Sequence, residues 1–275
     1  MSRTELHIHS TFSDGEETPE EIVRNAKKAD IEVLSFTDHD EIGAYKAIRE
    51  LANQLGIHLI PGIELNTDGV DGELHILGYF FNPDHPKMNQ HIVWRKQERK
   101  FWANEIIEKL NELGYEITFE DAMKHAGGDI IVRTHIGKAL FDRNYFDTAE
   151  TAYHDLLVKG KPAFIERAPF SAEDAIKLIQ DCGGKAFLAH PAAYSFKVNE
   201  DNLLSYGLEG VEVYHSKHGQ VDVVYWKEFA EKNRLLVSGG SDSHGPNSRN
   251  PFPIGSVQLD AEAKAKWLRK VGLTR

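Results

Sequence analysis

Cysteine is almost missing from this chain: Cys182 is the single one among 275 residues. An internal disulfide is thereby excluded, and Cys182, set between LIQD and GGKAF where a helix should end, reads as buried filler rather than a reactive thiol. Long hydrophobic runs are missing too. No apolar stretch approaches the roughly 18 residues of a membrane span, and the first residues pattern as a strand rather than a signal segment. A cytoplasmic protein without a membrane partner is expected. Positive charge is scarce, with 32 Lys and Arg against 43 Asp and Glu and a net charge of −11. Coating duplex DNA requires a broad basic surface that replaces counterions, so the balance argues against that class. It leaves room for a small phosphorylated substrate or a short single strand entering a cleft.

What is present is an ordinary globular composition, 41% hydrophobic and 27% charged, suited to one large domain or a domain with an insert. Strand-like runs, TELHIHS, IEVLSFTDHD, IHLIPGIELN, ELHILGYFF, GKAFLAHP, GVEVYHS and LLVSGGSDSH, alternate with amphipathic segments in a βα rhythm. Thr18 as cap, Pro19 at the first helical position and Glu20 and Glu21 in the first turn announce one helix. Another is expected from about Ile42 to Leu55, with Ile48, Leu51 and Leu55 at helical spacing. The terminal AEAKAKWLRKVGLTR reads as a closing helix with Trp267, Leu268 and Val271 inward.

Between about Pro86 and Lys161 the rhythm becomes helical, predicting an inserted subdomain over 100–161 within a body formed by 1–99 and 162–275. The basic run WRKQERK in this region holds Arg95, Lys96, Arg99 and Lys100; of a phosphodiester-binding face and a solvated helix face, the latter is the plainer reading.

The chain has 14 histidines, and chance placement alone gives roughly 0.7 H-x-H pairs, so HIH at 7–9 is informative only through its position. Alternating strand side chains put His7 and His9 on one face. Other candidates fall at strand ends: Asp38, His39 and Asp40 after the second strand, Glu64 in the third, His75 in the fourth, then His190, His215, Asp242 and His244. In a barrel of parallel strands these ends meet at one face. Imidazoles and carboxylates without thiolate suit Zn²⁺, Mn²⁺ or Fe²⁺, and the ligands are too many for one ion. His58, His85, His91, His125 and His154 lie elsewhere and receive no role.

The motifs HIHS, TDHD, AHP and SDSH resemble those of the PHP (polymerase and histidinol phosphatase) superfamily of metal-dependent phosphoesterases. The resemblance implies an α/β fold, a distorted seven-stranded (β/α)7 TIM-like barrel, with a trinuclear centre at its C-terminal face. It implies His7, His9, Asp14, His39, Glu64, His75, His190, Asp242 and His244 as ligands of two or three divalent ions, Mn²⁺ first, with Zn²⁺ or Fe²⁺ as alternatives. Arg133 and His135 in RTH, on one side of the chain at a helix start, are expected to meet substrate phosphate. His215 and His218 join them as substrate-binding residues and as candidates, with Asp14 as the third catalytic residue, for work on the reacting groups; either histidine would protonate the leaving alkoxide.

Within the superfamily, the strand starting at residue 4, HILGYFF and the helical insert are most similar to the bacterial branch that hydrolyses nucleoside 3′,5′-bisphosphates and trims short 5′-phosphorylated RNA 5′-to-3′. The implied reaction is attack on phosphorus by a metal-bridging hydroxide. Partners are then a small phosphorylated nucleotide and a short single-stranded RNA, with the protein a monomer or weak oligomer. Histidinol-phosphate phosphatase is the alternative enzyme; a non-catalytic or polymerase-associated nucleic-acid-binding module is the alternative of another class.

Overall fold

A computed structural model describes residues 3–126, 131–248 and 250–273. The strands among these residues are β1 (Arg3–Glu5), β2 (Ile31–Leu34), β3 (His58–Leu59), β4 (Gly62–Asn66), β5 (His75–Tyr79), β6 (Lys185–Leu188), β7 (Gly210–His215) and β8 (Leu236–Gly240). They alternate with helices α1 (Pro19–Lys28), α2 (Gly43–Gln54), α3 (Pro86–Glu112), α4 (Phe119–Met123), α5 (Arg133–Asp142), α6 (Ala149–Ala152), α7 (Ala172–Asp181), α8 (Glu200–Ser205), α9 (Gln220–Asn233) and α10 (Ala261–Lys270). Thr18 caps α1 in a box with Glu21, and α2 lies within one residue of its expected ends. Cys182 caps α7 and is buried, and Trp267 of α10 packs inward with Leu268 and Val271 against the core. The last two residues of that closing segment lie outside the described ones.

The expected seven-stranded parallel barrel needs correction. The strands form a mixed α/β arrangement of two sheets, β1-β2-β3 and β4-β5-β6-β7-β8, joined by the isolated parallel bridges Ile8–Ser243 and His39–Glu64. Among the described residues no continuous ladder closes the set. β5 runs antiparallel to both β4 and β6. The reason is the connection: only residues 67–74 join β4 to β5, and a parallel crossover needs a dozen or more. His75 therefore reaches the face where the other strands end because it begins β5 rather than ends it.

The ladder also stops earlier than HIHS suggests, since β1 ends at Glu5. Residues 6–9 nevertheless stay extended between neighbours: Thr37 N–H donates to Ile8 O at 3.0 Å, and His9 N–H to Ser243 O at 3.0 Å. The alternation that pairs His7 with His9 thus survives outside a regular strand.

Between β5 and α7 the chain is helical. Trp102, Ile106 and Leu110 of α3, Ala122 of α4, Ile136 and Leu140 of α5 and Ala152 of α6 share one apolar cluster. α3 runs unbroken past residue 100. The basic run on α3 is divided: Lys100 is exposed and Lys96 half-buried, as on a solvated face, but Arg95 and Arg99 are buried at 0% and 1% exposure. A buried guanidinium must be paired, and Asp40 at the end of the β2 segment supplies the carboxylate for Arg99. No helix among the described residues is long and apolar enough to cross a membrane.

Candidate metal centre

Strand ends and tight turns bring the histidines together. Asp40, His190 and Asp242 adopt left-handed backbone with φ of 51°, 29° and 52°, a conformation costing non-glycine residues about 1–3 kcal/mol each. Such turns redirect the chain at the end of a strand. The turn after His9 is held by Asp38, which accepts hydrogen bonds from Ser10 N at 2.7 Å, Ser10 Oγ at 2.8 Å and Ser13 Oγ at 2.6 Å. Asp38 thereby fixes the loop that delivers Asp14, and among the described residues it belongs to none of the donor groups.

Glu64 is the hub. Its Oε2 lies 3.1 Å from His9 Nε2, 3.1 Å from His39 Nδ1 and 3.5 Å from His7 Nε2, and its Oε1 lies 2.9 Å from His75 Nδ1 and 3.0 Å from His190 Nε2. Asp242 is a second hub, with Oδ1 at 3.2 Å from both His7 Nε2 and His9 Nε2 and Oδ2 at 3.2 Å from His215 Nε2. Asp14 Oδ1 lies 3.3 Å from His244 Nε2 and 3.6 Å from His9 Nδ1. Four groups of donor atoms converge: His9, Asp14, His39 and His244; His7, His215 and Asp242; His7, Glu64 and His190; His39, Glu64 and His75. All nine residues expected as ligands are in this assembly, and His215 joins them.

These donors fit divalent ions. Two ligands each about 2.1 Å from one ion at a tetrahedral angle stand about 3.4 Å apart, which is the spacing around both hubs. Glu64 Oε2 and His244 Nε2 are buried yet make no hydrogen bond, a cost that coordination removes. Only nitrogen and oxygen are offered, as Mn²⁺, Zn²⁺ and Fe²⁺ all accept.

The charge distribution says the same. Burial pushes the His9 imidazolium down, but Asp242 and Glu64 outweigh it and raise the group to about 10. His7 is likewise held well above its ordinary value against burial by Glu212, Asp242 and Glu64. Burial drives His39 well below its ordinary value and His190 down to about 4. Glu64 and Asp242, which burial alone would raise, are held well below the carboxylate range by the surrounding imidazoles.

Residues outside the expected set orient it. Glu212 is fully buried, accepts from His7 Nδ1 at 3.0 Å and from the His190 N–H at 2.8 Å, and so leaves His7 Nε2 turned toward the donors. An acid in the middle of the apolar run GVEVY was a signal for it, since a buried carboxylate requires a partner. Asn66 donates to Asp40 Oδ2 at 3.0 Å and lies 3.1 Å from His39 Nδ1. Of the histidines given no role, none belongs to the donor groups among the described residues, although His91 is buried beside Asp40 and packs on Phe170.

The substrate candidates divide. A cleft over the donors is lined by Asp14, His39 and His75 and by Arg99, Arg133 and Arg167. Arg133 and His135 do not share a side of the chain: both lie in the first turn of α5, where residues two apart point away from each other. His135 is buried at 1% exposure, its Nδ1 accepts from Val132 N at 3.4 Å, and burial lowers it to about 4. His218 spends both ring nitrogens on backbone, Nδ1 donating to Val213 O at 2.9 Å and Nε2 accepting from Ala192 N at 3.4 Å. His215 Nδ1 accepts from Lys217 N at 3.1 Å, which leaves its proton on Nε2, facing Asp242.

The comparisons with known proteins agree with this geometry. The chain is 31% identical over 254 residues, 90% of its length and 96% of the relative's, to phosphoribosyl 1,2-cyclic phosphate 1,2-diphosphodiesterase of Eggerthella lenta. It is 29% identical to 3′,5′-nucleoside bisphosphate phosphatase of Chromobacterium violaceum, covering 90% of this chain and 88% of that one, and 30% identical to the 5′-3′ exoribonuclease Rnm of Escherichia coli, covering 88% and 85%. The structure of an amidohydrolase from Chromobacterium violaceum, with bound sulfate and no metal, superposes with a TM-score of 0.87 at 27% identity, covering 98% of this chain and 96% of that one. The PHP domain model matches residues 5–166. With more than half its length matched by that model, the chain belongs to the PHP family, and it is a phosphoric ester hydrolase.

Proposed function

We propose that this enzyme hydrolyses a phosphate ester on a substrate that carries a second phosphoryl group across a ribose. A nucleoside 3′,5′-bisphosphate, losing its 3′-phosphate, is the small-molecule case; the 5′ end of a short RNA is the polymeric one. One observation carries this reading: the cleft that opens on Asp14, His39 and His75 is bordered by the guanidinium groups of Arg133 and Arg167, a third, Arg99, being spent on Asp40. The relatives' names support it, since two name a phosphoribosyl cyclic phosphate and a nucleoside 3′,5′-bisphosphate and the third names a 5′-3′ exoribonuclease. In this reading residues 100–161 act as a lid over the body formed by 1–99 and 162–275.

Two or three divalent ions, Mn²⁺ first, would be held by His9, Asp14, His39 and His244, by His7, Glu64 and His190, and by Glu64, His39 and His75, with Asp242 closing the His7 side. When bound, such ions supply a nucleophile from water at neutral pH and offset charge on the phosphoryl oxygens. The chain's own residues do the rest. Glu212 and Asn66 keep His7 and His39 in their orientations. Arg133 grips the phosphoryl group remote from the donors, and Arg167 borders the same space. To hand a proton to the leaving oxygen His215 would have to be doubly protonated, giving up the bond its Nδ1 accepts from Lys217 N, just as His218 would have to break its bond to Ala192; of the two, His215 is the one whose Nε2 faces Asp242.

Replacing Arg133 by Ala tests the reading. KM for adenosine 3′,5′-bisphosphate should rise about 10–100-fold while an aryl phosphate changes by about twofold or less, the loss expected for a charged hydrogen bond made by only one substrate. Equal loss on both overturns it. A panel adding 5′-phosphorylated RNA, a 5-phosphoribosyl 1,2-cyclic phosphate and histidinol phosphate ranks the substrates within the class.

A further inference from the structure

We infer that Glu73 sets the substrate preference of this cleft by occupying Arg133 until a second phosphoryl group displaces it; the inference rests on the bisphosphate reading above. Arg133 Nη1 and Nη2 reach Glu73 Oε2 and Oε1 at 3.3 Å each. Close charge-assisted pairs lie near 2.7–2.9 Å, and the buried Arg99–Asp40 pair is at 2.6 Å. The Arg133–Glu73 pair is therefore a loose one.

The two partners differ in freedom. Glu73 has 42% of its side chain exposed, whereas Arg133 has 12% and is held between the faces of Trp102, 5.4 Å away, and Phe164, 4.9 Å away. The carboxylate can swing into water, while the guanidinium stays. Arg167, 7% exposed, is held in turn by Asp68 Oδ1 at 3.0 Å. Both arginines line the cleft, and both keep a buried Nε that makes no hydrogen bond. Those two Nε atoms are shut from solvent, but a guanidinium carries five N–H donors and Glu73 takes only one from each Nη of Arg133, so an anion with more acceptor oxygens than a carboxylate can use what Glu73 leaves.

A phosphoryl dianion has them. It brings more charge and three acceptor oxygens, so it competes with Glu73 for Arg133 where a neutral hydroxyl cannot. A substrate with no second phosphate leaves the Arg133–Glu73 pair intact and gains nothing. Glu73 thus acts as an internal competitor that weakens binding of every substrate reaching Arg133 and spares those that do not.

The test uses the Mn²⁺-loaded enzyme with adenosine 3′,5′-bisphosphate and adenosine 3′-monophosphate, which differ only in the second phosphate. Glu73→Gln should lower KM for the bisphosphate about fivefold, the scale of a part-exposed ion pair, with kcat unchanged and both constants for the monophosphate unchanged. A raised or unaltered KM for the bisphosphate overturns the inference, the former showing that Glu73 merely positions Arg133. Failure of the bisphosphate reading is separately visible: wild type and Arg133→Ala would then treat the two substrates alike, and the role of Glu73 falls with it.

Discussion

Arg99 Nη2 donates to Asp40 Oδ2 at 2.6 Å across 59 residues of sequence, with both side chains shut away from water. The pair ties α3 to the segment that carries His39. Asp40 also accepts from Asn66, whose amide lies beside His39. Burial raises the Asp40 carboxyl, but Arg99 and Arg95 outweigh it and hold it well below the carboxylate range. Arg99→Ala leaves a buried charge with its main partner gone, so unfolding free energy should fall by about 3–5 kcal/mol. Denaturant unfolding of the single variant and of Arg99→Ala/Asp40→Asn measures this, and the double variant should recover part of the loss. If the two substitutions add without recovery, the pair is not coupled.

Glu212 orients without ligating. Glu212→Gln keeps the size of the side chain but removes its charge and leaves one acceptor oxygen where His7 Nδ1 and the His190 N–H now use two, so His7 loses a charged partner for its Nδ1 proton. Metal affinity, measured by competition with a chromogenic chelator, should drop about 10–100-fold, the usual effect of losing such a partner. Unchanged affinity would mean that His7 is oriented by Asp242 and Glu64 alone.

His7, His9, His190, Asp242 and His244 were legible because short apolar runs ending in a polar residue mark strand ends, and strand ends gather. Arg95 and Arg99 were misread because helical periodicity counts arginine as polar whatever it meets, and Asp40 is far away in sequence. Glu212 meets His7 across 205 residues, a distance over which local pattern carries no information. The direction of β5 was available from the eight-residue connection before it, yet the βα rhythm elsewhere suggested a uniform parallel sheet. The separation of Arg133 from His135 follows from α5 starting at Arg133, where helix geometry replaces the strand-like alternation that would have put them together.

His135 makes the protein sensitive to acid. Burial lowers it from 6.5 to about 4, so the unfolded chain binds the extra proton between those values. Its contribution is fully present above pH 6.5 and is lost as pH falls through 4, by up to about 3 kcal/mol. His135→Asn retains an acceptor for Val132 N–H but does not titrate. The melting temperature of this variant should fall less steeply than that of wild type between pH 6.5 and 4. Parallel profiles would assign the acid sensitivity to other groups.

Metal and protons compete for the donors around Glu64 and Asp242. His9 is raised from 6.5 to about 10, so in the metal-free protein its stabilising contribution is complete below pH 6.5 and is lost as pH rises through 10. Binding an ion requires the neutral ring and expels that proton, so affinity for metal should climb over the same interval. Ligand at 100 times its Kd adds about 2.7 kcal/mol of stability, well within the reach of a thermal melt. Melting temperatures with Mn²⁺ and with chelator, taken from pH 6 to pH 9, should therefore separate progressively as pH rises. A gap that stays constant would mean that the imidazoles are already neutral before metal arrives, and that the raised His9 is not what opposes loading.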